Sequence, residues 1–595
     1  MLPLSGKSLA VLVGAIILGT FIVAVVIWSE AWRRPNESKE PPPASGPRLF
    51  EDITKKVGLK FTHDAGPLPR DGKYFMPQIM GSGAAVFDFD GDGLLDVLLL
   101  TNGGPNSSST NRLFRQLPDG TFQDVGAGSG LDFAGYNMGV AIGDVNNDGK
   151  PDVVITQFGG LKLLLNQGGG KFLDVTQQAG LDSPLWGTSA AFFDYDRDGF
   201  LDLVVVNYLE YDPTRICDRD GRAYDYCPPY VFEKQVAKLF RNLGAKSGSG
   251  GSVRFEDVTL KSGLGRLAGT GLGVVALDFT GDGWPDIFVA NDANANYLWV
   301  NQKNGTFKEE AIPRGLAFNR LGQAQANMGI AVGDVAGTGL FDVFVTHERN
   351  EFHTLWKQGP RGYFQDISDA VGITKMAQTG WRGTGFGTVL ADFDQDGFLD
   401  LAIVNGKVQH GRTVREKQID PATFWSDFVE RNQLFLNDSK GSFVDVSQGN
   451  SPFCGSAAVS RGLAWGIFDE RGSVDLLVTT IAGPARLFRN VSQNKGHWLV
   501  VKAIDPALGG RDAYGAQVVV VAGKRTWLGF INPAGSYLCS NDARAHFGLG
   551  AVHAVDAVQV TWPDGTLESF PVGRVDQLVQ VRKGTGKQAV RGKMP

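Results

Sequence analysis

The stretch DFDGDGLLD, residues 88–96, sets carboxylates at Asp88, Asp90, Asp92 and Asp96 with glycines between them. Like charges this close repel unless a cation sits among them. Hard oxygen donors on a tight loop suit Ca²⁺, which takes 6–8 oxygens in loose geometry. Zinc would ask for histidine or cysteine, and the loop has neither. Magnesium tolerates so irregular a cage less well. Counting from Asp88, Gly93 at position 6 permits a sharp turn through positive φ. The backbone carbonyl of Leu94 at position 7 can turn inward, and Asp96 at position 9 opens an apolar strand. An EF-hand would instead need flanking helices and a bidentate Glu at position 12.

The pattern recurs, which defines further candidate ligand sets. They are Asp144, Asn146, Asp148, Lys150 and Asp152; Asp194, Asp196, Asp198, Phe200 and Asp202; Asp278, Thr280, Asp282, Trp284 and Asp286; and Asp392, Asp394, Asp396, Phe398 and Asp400. In each set the position-7 residue would contribute its carbonyl. Asn146 and Thr280 replace a carboxylate with a neutral oxygen. Two worn copies complete the series. DVAGTGLFD from Asp334 has Ala336 and Thr338 at positions 3 and 5, and FDERGSVD holds only Asp469 and Asp475 at its ends. Both are expected to bind nothing, which leaves about five structural Ca²⁺ sites. Carboxylates clustered this tightly make folding and metal binding coupled.

The elements that position these loops follow from their spacing. The copies begin 50 to 84 residues apart. After each loop comes an apolar strand such as VLLL or LVVV, then a segment like NRLFRQ (Asn111–Gln116), a turn, and a strand like TFQDV (Thr121–Val125). About four short strands per repeat is the content of a propeller blade. The last unit ends at ARLFRN (Ala485–Asn490) without its final strand, while an orphan copy, LFEDITKKVGL, stands at Leu49–Leu59. The orphan can complete the last unit and so remove an exposed sheet edge. The expected fold is all-β: a seven-bladed β-propeller over residues 49–490, with a small β-domain over 491–585 and a tail over 586–595.

Before the propeller, residues 1–34 hold the uncharged run Leu9–Trp28, long enough to span a bilayer as one transmembrane helix. A cleaved signal peptide is the rival reading, and it would make the protein secreted. Residues 35–48 read as a proline-rich linker. The formal net charge is −6 and no basic-aromatic patch exists, so nucleic acid is not an expected partner. Cys217 and Cys227 lie in one glycine-containing loop, CDRDGRAYDYC, and pair in an exported protein. Cys454 and Cys539 are candidates for a second pair.

Together these residues carry a resemblance. The repeats look like FG-GAP/VCBS repeats of integrin α-subunit propellers. KGHWLVV (Lys495–Val501), YGAQVVVVAG (Tyr514–Gly523), HFGLG (His546–Gly550) and VTWPDG (Val560–Gly565) resemble an ASPIC/UnbV domain. The whole resembles the cartilage acidic protein family, whose cysteine loop the CDRDGRAYDYCPP insertion is similar to. The resemblance implies calcium binding and an adhesion-like role, with no common activity attached. The expectation is therefore a membrane-anchored, extracytoplasmic module that binds a protein or glycan. Candidate anchors lie in the two long insertions: Arg222, Tyr224, Tyr226 and Tyr230, and Trp425. The alternatives are a propeller hydrolase or lyase acting on an extracellular substrate, and a scaffold subunit of a surface assembly. No GxSxG or HExxH supports an enzyme, and His347, Glu348 and His353 in HERNEFH lack zincin spacing. His546 reads as a packing residue.

Overall fold

The computed structural model describes residues 47–69, 73–218, 224–244, 253–374, 382–410, 424–493 and 496–589. The apolar run Leu9–Trp28 and the proline-rich linker lie outside these residues. Among the described residues no helix is long and apolar enough to cross a membrane.

Each repeat folds as a four-stranded antiparallel sheet, because short apolar blocks alternate with glycine turns. The first comprises Ala84–Phe87, Asp96–Leu99, Arg112–Gln116 and Phe122–Asp124. Six more follow among the described residues. The innermost strands, Ala84–Phe87, Asn137–Gly143, Gly187–Phe193, Gly271–Leu277, Ile330–Gly333, Gly385–Ala391 and Ser460–Gly466, pack each against the next. The last, Ser460–Gly466, packs back on the first, so the adjacency is cyclic. The final sheet takes its fourth strand from the start of the chain: Phe50 pairs with Asn490, Glu51 with Arg489 and Asp52 with Phe488. Apolar side chains between adjacent sheets are buried, Phe114, Phe240, Phe288, Phe344 and Phe488 among them.

A repeated side-chain bond ties each sheet to the one before it. The Asn or Gln ending the third strand donates its amide N–H to the carbonyl of the residue at loop position 2 in the preceding sheet. Asn166 reaches Phe89 at 2.8 Å, Asn242 reaches Val145 at 2.8 Å, and Asn301 reaches Tyr195 at 2.9 Å. Gln358 reaches Phe279 at 2.7 Å, Asn437 reaches Val335 at 3.4 Å, and Asn490 reaches Phe393 at 2.7 Å. Gln116 in the first sheet reaches Phe468 in the last at 2.8 Å, which closes the circuit. Each bond satisfies a carbonyl that would otherwise be buried without a partner.

The C-terminal region contributes two sheets. His497–Asp505 lies between Ala545–Gly550, antiparallel, and Gln577–Arg582, parallel. Gln517–Ala522 lies between Arg525–Phe530 and Ala554–Thr561. Lys587–Gln588 adds a further pairing with Leu567–Arg574. The region is not a simple appendage. Its segment 532–542 runs down the middle of the ring and bonds to all seven inner strands. Asn532 donates to the Ala276 carbonyl, Ile330 and Ser536 exchange backbone bonds, and Thr388 N–H donates to the Ser536 hydroxyl. Val140 N–H donates to the Leu538 carbonyl, Leu538 N–H to the Ser189 hydroxyl, and Asp542 N–H to the Trp465 carbonyl. Ser540 pairs with Ala85 in parallel register. Gly83 is required by this approach, since a Cβ there would lie 1.7 Å from the Leu538 carbonyl oxygen. Tyr537, fully buried, reaches through to donate its hydroxyl to the Met80 carbonyl at 3.1 Å.

Candidate metal centres

The DxDxDG loops join the first and second strands of their sheets, on the face where the C-terminal sheets sit. Their geometry separates into two layers. The outer aspartates hold the turn itself. At position 1, Asp88 accepts from the N–H groups of Gly91, Asp92 and Gly93. Asp144, Asp194, Asp278 and Asp392 accept equivalent bonds from positions 5 and 6 of their own loops. The position-6 glycines sit at φ between +83° and +95° in these five loops, a left-handed conformation that costs an L side chain strain. At position 9, Asp96 accepts from Phe89 N–H at 3.1 Å and Gln116 N–H at 2.8 Å. Asp152, Asp202, Asp286 and Asp400 repeat that clamp. One carboxylate thus joins the end of strand one, the start of strand two and the end of strand three.

The inner residues, positions 3 and 5, carry what the turn does not need. Three carboxylate sets, Asp88–Asp90–Asp96, Asp194–Asp196–Asp202 and Asp392–Asp394–Asp400, each bring oxygens within 4.8 Å of one another. Position 3 of the second and fourth loops supplies a neutral oxygen instead: Asn146 accepts from Asp148 N–H, and Thr280 lies 3.4 Å from Asp278. At position 5, Asp92, Asp148, Asp198, Asp282 and Asp396 each accept the N–H of their position-7 residue, respectively Leu94, Lys150, Phe200, Trp284 and Phe398.

A cation fits this donor set on two counts. The Oδ1 atoms of Asp196 and Asp394 are buried with no hydrogen-bond partner, a cost of about 1–3 kcal/mol each unless a cation or water takes them up. Burial also pushes the carboxyls upward. Asp96 and Asp152 rise to about 8 and Asp194 to about 6, with neighbouring aspartates adding to the effect and backbone N–H groups opposing it. Asp202, Asp286 and Asp400 are raised well above the usual carboxylate range for the same reason. Ca²⁺, when bound, would supply the missing positive charge, with positions 1, 3, 5 and 9 as side-chain donors.

The worn copies test the division of labour. In the fifth loop Asp334 still accepts from Thr338 and Gly339 N–H, and Asp342 from Val335 and Gln358 N–H. The turn stands on positions 1 and 9 alone. In the seventh, Arg471 pairs with Asp469 at 2.6 Å, so a guanidinium provides the local positive charge.

Sequence reasoning missed the basic residues around the loops. Arg115 bridges Asp90 at 2.6 Å and Asp92 at 2.9 Å, and Arg241 bridges Asp196 at 2.6 Å and Asp198 at 3.2 Å. Both engage the Oδ2 atoms, which leaves the Oδ1 atoms of Asp90 and Asp196 free of them. The signal was present in the sequence: LFRQ and LFRN carry the arginine at the same place in strand three. The C-terminal region touches the loops too. Arg511 donates to the Gly199 carbonyl, Arg525 to the Gly397 carbonyl, and His546 to the Gly472 carbonyl at 2.8 Å.

Other candidates fall elsewhere. Cys217 and Cys227 form a disulfide, whereas Cys454 and Cys539 are separate buried thiols. They belong to different apolar clusters, which is why the second pair does not form. His347 bonds Asn327 through Nε2 at 2.9 Å, and His353 Nδ1 accepts the His347 N–H at 3.0 Å; both rings are structural. Of the expected surface anchors, Tyr226 is buried, because it packs on Tyr74 and Phe428. Trp425 packs on Phe424 and Phe428, and Tyr230 is 81% exposed. Arg222 and the Tyr224 side chain lie outside the described residues.

Repeated sheets bearing these loops define a class, the FG-GAP-repeat proteins. The FG-GAP-like repeat family model matches residues 88–155, 144–205 and 278–345, and the ASPIC and UnbV model matches 508–588. The chain thus carries FG-GAP-like repeats and a C-terminal segment similar to the ASPIC and UnbV domain. Its relatives include cartilage acidic protein 1. It is 25% identical to the Xenopus tropicalis protein over 502 residues, 75% of this chain and 73% of that one. It is 26% identical to the Homo sapiens protein over 349 residues, 56% of this chain and 47% of that one. Solved structures with some likeness include an Agrocybe aegerita lectin (16% identity, 63% and 82% of the two chains, TM-score 0.37) and a Bacillus licheniformis rhamnogalacturonan lyase (13%, 73% and 76%, TM-score 0.34). Neither likeness bears on function.

Proposed function

We propose that this chain is a calcium-stabilised, seven-bladed propeller that acts as an extracytoplasmic binding module, tethered by its N-terminal apolar segment, with a protein or glycan as its partner. The observation that carries the calcium reading is the pair of buried, unpartnered Oδ1 atoms of Asp196 and Asp394, each inside a three-carboxylate set. The ions are structural in this reading, since each loop lies in one repeat and serves the same turn. The Cys217–Cys227 disulfide supports an oxidising compartment. The C-terminal sheets occupy the loop face, which leaves the opposite face and the outer edges for a partner; Tyr230 stands exposed in the cysteine insertion. Cell fractionation tests the tether: the protein should stay with membranes at high salt and leave only with detergent, and release by salt alone would refute tethering. A glycan array and a pull-down from detergent extract, both in calcium, test the partner class; loss of captured ligand on chelation is the expected result, and no ligand in either arm contradicts the binding-module reading.

A further inference from the structure

On the face opposite the acidic loops, a cavity of about 70 Å³ opens within the apolar cluster that also holds Tyr537. An enclosed water needs roughly 10–15 Å³ of such space, so a group of a few heavy atoms fits. Its walls are aromatic and thioether: Tyr208, Tyr226 and Phe386 with Met76, Met80 and Met328. Two carboxylates from different sheets share it, Asp292 and Glu348. Asp292 is partly buried and accepts a hydrogen bond from the Tyr208 hydroxyl at 2.5 Å, and among the described residues it has no lysine, arginine or histidine partner. A carboxylate drawn partly out of water gains from a cationic partner. A second, independent feature is the Tyr226 hydroxyl, which is buried in the lining with no hydrogen-bond partner.

We infer that this cavity binds an organic ammonium group, with Asp292 and Glu348 supplying the counter-charge, Tyr226 an oxygen acceptor, and the Tyr208 and Tyr226 rings the cation–π contact, since the Arg461 guanidinium already lies 3.9 Å over Phe386. A hard metal ion is less suited, because only two carboxylates converge and the rest of the wall is apolar. A neutral ligand of the same shape would leave Asp292 unpaired. Among the described residues the lining holds no histidine, lysine, arginine or serine. The ammonium can come from a free small amine or from a lysine side chain of a partner protein. The inference does not depend on the protein-or-glycan reading above.

The test is isothermal titration of the full chain in detergent at saturating calcium, with n-butylammonium, a lysine-containing tripeptide and n-butanol. Butylammonium should bind and butanol should not at the same concentration, and Asp292→Asn should weaken butylammonium at least tenfold. Glu348→Gln, at a part-exposed position, should weaken it severalfold and decides the matter if the first variant misfolds. Competition by the tripeptide assigns the site to a partner's lysine, and its absence assigns it to a free amine. Equal binding of butanol, no binding of butylammonium, or unchanged affinity in folded variants would overturn the inference.

Discussion

Replacing Tyr537 with alanine tests whether the C-terminal segment and the ring of sheets are one folding unit. Tyr537 is fully buried, packs edge-on against Phe386 at 4.9 Å, and holds the Met80 carbonyl at 3.1 Å. Truncating a buried aromatic to alanine costs about 3–5 kcal/mol. The Met80 carbonyl loses its partner as well, which adds about 1–3 kcal/mol. Unfolding entropy near 2.1 cal/mol/K per residue gives about 1.1 kcal/mol/K for a unit of roughly 540 residues. The Tm should therefore fall by about 4–7 °C in Tyr537→Ala. In Tyr537→Phe, which removes only the hydroxyl, it should fall by about 1–3 °C. Differential scanning calorimetry at fixed calcium reads both, and a single transition should move. A shift below about 1 °C in Tyr537→Ala, or two transitions of which only one moves, would refute the segment 532–542 as a structural key.

Two further outcomes follow from the same structure. Gln116→Ala opens the seam between the first and last sheets by orphaning the Phe468 carbonyl, and should cost about 1–3 kcal/mol; Gln123→Ala, on an exposed position of the next strand, should leave the Tm unchanged. Acid should destabilise the fold through its buried histidines. Burial holds His63 and His353 at about 4, below the ordinary 6.5. The unfolded chain therefore takes up protons that the folded chain refuses, so their stability is intact above pH 6.5 and is lost as pH falls towards 4, by about 3 kcal/mol for buried His63 and by less for part-exposed His353. His353→Gln should flatten the decline of Tm over that window, and an unchanged slope would remove His353 from the account.

Much of the loop architecture can be read from one chain because it repeats. Asp88, Asp144, Asp194, Asp278 and Asp392 share a position whose role is local, and a local role leaves a local pattern. The orphan LFEDITKKVGL was legible for the same reason, as a strand without its loop, and Phe50–Asp52 pairs with the last sheet. The inter-sheet amides were visible as an Asn or Gln ending every third strand, yet their purpose is a contact with another repeat, which spacing alone does not disclose. The segment holding Tyr537 has no periodicity at all. Its conformation is set by seven inner strands drawn from across the chain. Tyr226 misled for a related reason: in sequence it stands in a polar cysteine loop, while in the fold Tyr74 and Phe428 cover it.

The central claim is that the loops hold calcium, and counting the metal tests it most directly. Equilibrium dialysis against calcium, with bound metal quantified by mass spectrometry, should give about five ions per chain. Asp196→Ala and Asp394→Ala, which leave no side-chain oxygen at position 3, should each remove one. Ala336→Asp with Thr338→Asp should add one at the fifth loop, whose turn already stands. A count near zero, or a count that none of these substitutions changes, would contradict the account.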